Sequence, residues 1–158
     1  MIKTFRCLCA GLVLAFASLG TAQAQSAGAD GVIRVRSAYS MEETIARIRK
    51  DIAAKGIMFF DEIDQAKLAA GAGIALRPST LLVFGNPPLG IQFLTSNPNA
   101  GLDWPVRLLV MQDASGGVWA AWTDFAWIAR RHGITDRPQQ FAMATGVVES
   151  ITSTIKAH

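Results

Sequence analysis

The chain has 158 residues, 51% of them hydrophobic and 17% charged, with a formal net charge of +3. That length suits one domain around a single core and is short for two. The small basic excess lies partly in the opening segment, so composition argues against nucleic acid as a partner.

The opening segment has the three parts of an export signal. Lys3 and Arg6 precede an apolar stretch over residues 8–19, and Ala22-Gln23-Ala24 forms a small-residue site that predicts cleavage before Gln25. The stretch is shorter than the roughly 20 residues of a membrane span, and no second long apolar run follows, so no membrane anchor is expected. Cys7 and Cys9 leave with the signal. The remaining chain must therefore fold without disulfides, in what is expected to be the periplasm of a Gram-negative-type bacterium. Residues 1–24 are read as the cleaved signal, 25–31 as a polar linker and 32–158 as a single domain.

Within that domain, residues 32–39 alternate as a strand does. Ser40 with Glu43 three positions on has the capping-box pattern, and Met41, Ile45, Ile48 and Ile52 follow at helical spacing. Gly56 suits the left-handed residue that closes such a helix. Residues 57–64 read as a second strand, 65–72 as a short Ala-rich helix and 81–84 as a buried strand. Asn86-Pro87 has the chemistry of a cap and first turn, opening a short helix that Asn97-Pro98 breaks. Val106–Gln112 and Val118–Thr123 read as a hairpin across the Gly-bearing segment 113–117. Asp124 caps a helix that runs through Arg131 and ends at Gly133. Pro138 starts the last helix, with Phe141, Ala144, Val148, Ile151 and Ile155 on one stripe. This order predicts an α+β domain, a mostly antiparallel sheet with two long helices on one face.

Few residues suggest chemistry. Asp113-Ala114-Ser115-Gly116-Gly117 has the look of a nucleophile loop but is what a hairpin turn requires, and His132 follows it in the wrong order for such a protease. Gly71-Ala72-Gly73 is not a dinucleotide fingerprint, because it follows a helix and position 76 is leucine. Asp61, Glu62 and Asp64 could bind a hard cation or share acid and base roles but better suit a solvated strand end; on a strand Glu62 and Asp64 share a face and Asp61 opposes them. His132 and His158 are the histidines outside the signal, which makes a transition-metal centre a poor expectation, and no cofactor is expected. Arg130-Arg131-His132 complements the negative end of a helix, with anion binding as the alternative role. Trp119 and Trp122 must point to opposite sheet faces.

Glu43-Thr44, Gly56, Ile63-Asp64, Ala70-Gly71, the run Arg77-Pro78-Ser79-Thr80-Leu81-Leu82-Val83-Phe84-Gly85-Asn86-Pro87, Leu102-Asp103-Trp104-Pro105-Val106-Arg107 and Arg131-His132-Gly133 together resemble the bacterial domain of unknown function 302 family. The resemblance implies a TATA-binding-protein-like fold of β-α-β(4)-α order, commonly dimeric, with no established activity. Where similar sequences commonly read Ile-Asp-His, this chain has Ile63-Asp64-Gln65, and an amide neither titrates nor binds metals well.

The functional expectation is a non-catalytic periplasmic binding or interaction domain, a homodimer, with a pocket between the sheet and the Gly85-Asn86-Pro87 helix start. Asp64, Asn86, Arg107 and His132 are its candidate binding residues, and a small anion at the helix start is the expected ligand. The alternative is an unusual hydrolase or lyase with Asp64 as base and Arg107 or His132 as electrostatic partner, which requires these side chains to converge. A structural or assembly role would show instead as an exposed apolar patch.

Overall fold

The computed structural model describes residues 28–157. The expected export signal, Cys7 and Cys9, the first part of the linker and His158 lie outside the described residues.

Five strands, β1 (Val32–Arg36), β2 (Met58–Asp64), β3 (Ser79–Gly85), β4 (Val106–Gln112) and β5 (Val118–Thr123), form one sheet in the order β1-β5-β4-β3-β2. Every neighbouring pair is antiparallel. The long helices are α1 (Met41–Ala54) and α5 (Pro138–Ser153). Three shorter ones complete the set: α2 (Gln65–Gly71), α3 (Pro87–Ser96) and α4 (Phe125–Arg131), with a 3-10 turn at Pro98–Leu102. With the short helices set aside the order is β-α-β(4)-α.

Alternation along each strand divides the sheet into two faces. Ile33, Val35, Leu82, Phe84, Leu108, Val110, Ala120 and Trp122 point inward and are buried. They meet Ile48 and Ile52 of α1 and Phe141, Ala144, Val148 and Ile151 of α5. Each large aliphatic or aromatic side chain so buried contributes about 1.5–3 kcal/mol relative to exposure, so the two helices and the sheet hold one another.

The local signals act through identifiable bonds. Ser40 Oγ accepts from Glu43 N at 3.2 Å, but the Glu43 carboxylate takes Arg47 Nε at 2.7 Å, so only half of the expected capping box forms. Gly56, at φ +63°, closes α1, with Gly56 N donating to Ala53 O and Ile57 N to Ile52 O. The same closure ends α2 at Gly73 and α4 at Gly133. A shift of register between Phe59 and Asp61 bulges β2 and frees Phe60 from the ladder.

Candidate functional site

Where β3 ends and α3 begins, a cavity of about 80 Å³ opens between the sheet, α3 and α5. Its walls are almost wholly apolar, with Phe84, Leu89, Phe93 and Val106 on one side and Ala144 and Val148 of α5 on the other. The Trp104 indole lies flat against Gly85 and Gly90. A Cβ on Gly90 would come within 1.7 Å of Trp104 Nε1, so only glycine allows this approach. The bulged Phe60 meets Trp104 edge to face at 6.0 Å, and Phe93 stacks on Phe141 at 4.2 Å, tying α3 to α5. A pocket beside the Gly85-Asn86-Pro87 segment was expected; its apolar character was not.

Asn86 occupies the N-cap position of α3 and lines the cavity, but its side chain makes no capping hydrogen bond. The physical reason is local. Pro87 and Pro88 carry no N–H, and the Asn86 carbonyl accepts from both Leu89 N (3.0 Å) and Gly90 N (2.8 Å). This helix start therefore leaves no free donor for the amide to satisfy and none to offer an anion, which corrects both expectations placed on it.

A second cluster forms at the same end of the sheet. Asp103, which closes the 3-10 turn, approaches His132 Nε2 through Oδ2 at 2.6 Å, and both side chains are only 5% exposed. Arg131 Nη1 donates to both carboxylate oxygens, at 3.2 and 3.1 Å, and Arg107 Nη2 to Oδ1 at 3.3 Å. The His132 carbonyl accepts from Asn97 Nδ2 at 2.8 Å, so the end of α4 is docked on the 97–103 segment by side chain and backbone alike. The space beside Asp103, about 10 Å³, has room for roughly one water. Asp103 stands within the family pattern with no site role expected of it, and Arg131 was expected as a helix-end cation with anion binding as the alternative. The available signal was their place in the same family pattern as Arg107 and His132.

Arg107 and His132 are thus brought together, with Asn86 at the neighbouring cavity, whereas Asp64 is not. Asp64 pairs with Thr80 while Met58 pairs with Gly85, so Asp64 lies about 17 Å along the strands from the Asn86 end at ~3.3 Å per residue. Its carboxylate caps α2 by accepting from Lys67 N at 2.9 Å. Gln65 accepts from Ser79 Oγ at 2.7 Å and pins α2 to β3. Glu62 pairs with Arg49 at 2.8 Å. Asp64 as a base beside Arg107 or His132 therefore has no geometry. In the hairpin loop, Ser115 Oγ donates to Asp113 Oδ1 at 2.7 Å and the loop is a turn at the opposite end of β4 from His132. Trp122 faces the core, and Trp119 lies on the outer face with Nε1 donating to Asp113 at 2.7 Å. Among the described residues no three His, Cys, Asp or Glu side chains group as metal ligands.

The fold and these two features define a single α+β domain with an apolar cavity and a buried carboxylate–histidine pair at one sheet end. The sequence model of the family described as "Domain of unknown function DUF302" matches residues 33–157, and the chain belongs to that family. A solved relative, the uncharacterised conserved DUF302 protein from Bacillus stearothermophilus, superposes with a TM-score of 0.64 at 18% identity, over 79% of this chain and 95% of that one. That likeness is one of fold. Curated relatives include "Fluoride-specific ion channel FluC 1" of Brucella suis biovar 1, 37% identical over 118 residues, or 73% of this chain and 46% of that protein. "Fluoride-specific ion channel FluC 2" of Brucella melitensis biotype 1 is likewise 37% identical over 118 residues, with 44% of its length covered. The chain therefore spans less than half the length of these relatives.

Proposed function

We propose that this chain is a non-catalytic, exported binding domain of the periplasm that receives a small apolar group in the cavity between β3, α3 and α5. The observation that carries the reading is the cavity's lining, which contains no titratable side chain and has Asn86 as its polar edge. At about 80 Å³ it is roughly half the ~150 Å³ that accommodates benzene, which suits a chain of about three or four carbons or one aliphatic side chain. The test is a titration of tryptophan emission with 1-butanol, assigned by subtraction of a Trp104→Phe variant. A saturable change is expected in the native protein and its loss in Ala144→Leu, which fills the cavity from α5. A response to butanol that never saturates would sink the reading. Export rests on the opening segment and is checked by sequencing the N-terminus of protein recovered from the periplasm, expected at Gln25.

The outer sheet face supports the homodimer. Ile63, Leu81, Leu109 and Ala121 share one register row on that face, ending at Arg34, where an antiparallel sheet open to water ordinarily carries more polar residues; Arg107 lies at the end of the same face and would stay at the rim of the interface. A second copy of the chain is the partner we assign to it.

A second reading concerns a membrane partner. The curated relatives named as fluoride-specific ion channels are more than twice as long as the matching segment, and no helix among the described residues is long and apolar enough to cross a membrane. On this reading the chain is a detached accessory domain for such a channel. Co-purification with the unmatched half of the Brucella suis protein is the expected result, and its failure in detergent and in bilayers would remove the reading.

A further inference from the structure

We infer that Arg107 and Arg131 together form a surface site for an oxyanion, a carboxylate or phosphate group, held in place by the buried Asp103–His132 pair. The site goes beyond the apolar cavity and does not depend on it. Two guanidiniums from distant parts of the chain, one on β4 and one at the end of α4, converge on the same Asp103 oxygen at 3.3 and 3.2 Å. Asp103 is saturated by them and by His132, while each arginine uses only part of its donor fork. Arg107 spends Nη2 on the Leu102 carbonyl and Asp103, and Arg131 spends Nη1 on Asp103. The two side chains are 49% and 44% exposed, and the Trp127 ring lies 5.4 Å beneath the Arg131 guanidinium as a further support for its position.

One carboxylate set against two guanidiniums leaves a positive balance. Paired guanidinium forks offer parallel donors that match the oxygens of a carboxylate or phosphate. Here they are pre-positioned, because Asp103 is buried and cannot follow a moving side chain. His132 is a positioning residue: it fixes Asp103 and does not reach the anion.

The test follows the arginine Nε–H resonances of the full chain during titration with inorganic phosphate and, separately, with acetate. Joint, saturable shifts of Arg107 and Arg131 at millimolar anion are expected, with exposed Arg36 on β1 as the control that drifts linearly. Arg131→Gln is expected to weaken the response at Arg107 about tenfold, with the backbone amide spectrum reporting an intact fold. Saturation with phosphate alone, or with acetate alone, identifies which oxyanion the site prefers and supports it. Linear drift of all three arginines in both titrations, or an unchanged affinity in a folded Arg131→Gln protein, would overturn it.

Discussion

Asn86 and Gly90 stand four residues apart and show how differently a polar and a glycine residue can serve one cavity. An N-cap asparagine ordinarily contributes about 1 kcal/mol through its side-chain oxygen. Here two prolines and the residue's own carbonyl have already dealt with the helix donors. Asn86→Ala is therefore expected to change unfolding free energy by less than about 0.5 kcal/mol, within the range of ordinary surface substitutions; urea denaturation checks it, and a loss of a full cap would contradict the account. Gly90→Ala should behave oppositely. The added methyl collides with the rigid Trp104 ring rather than with the end of a flexible chain. Overpacking of this kind costs about 1–3 kcal/mol, and the variant is expected to melt earlier and to show a shifted Trp104 emission.

At the scale of the element, the β4–β5 hairpin is organised by one carboxylate. Asp113 accepts from Ser115 N and Oγ, Gly117 N and Trp119 Nε1, all between 2.7 and 2.8 Å. The Ser115 hydroxyl, then the Trp119 indole, then the Gly117 amide hold its carboxyl well below the usual carboxylate range. A folded value below the unfolded one means that the ionised form favours the fold. Its contribution is complete above the ordinary aspartate value near ~3.9 and is lost as pH falls through the depressed folded value. The hairpin is thus expected to stay closed through mild acid and to loosen only in strong acid. Trp119 emission followed against pH should change in that strongly acidic window, and the change should vanish in Asp113→Asn. An emission change centred at ordinary carboxylate pH would show that the four donors do not hold the charge.

At the scale of the molecule, the sheet has one face covered by α1 and α5 and an outer face that mixes Ile63, Leu81 and Leu109 with Arg34, Asp61 and Arg107, and the proposed homodimer would cover its apolar part. Exposed Leu68, Ile74 and Leu76 on and after α2 add further apolar surface at the Asp64 end of the sheet. A stable interface buries roughly 800 Å² on each partner, so the sheet face and the α2 segment would have to act together. Leu109→Lys, at the centre of the outer face, is expected to convert a dimer in sedimentation equilibrium into a monomer with an unchanged far-UV spectrum. A native chain that sediments as a monomer at high concentration would remove the homodimer. Much of this molecule was legible without its tertiary structure. The caps at Ser40 and Asp124, the closing glycines at 56 and 133, the hairpin at 113–117 and the stripe of α5 are all local, because capping bonds and helical or strand periodicity act between residues a few positions apart. What the sequence could not disclose is every feature that joins distant segments. Trp104 packing on Gly90, the bulge that turns Phe60 toward that ring, and the meeting of Arg107, Arg131 and His132 on Asp103 depend on strand order and on where α3, α4 and α5 dock. The separation of Asp64 from those residues does too. Only packing of the whole chain decides such contacts, because they reward burial and complementary charge across space, whereas local spacing carries no record of which elements will become neighbours.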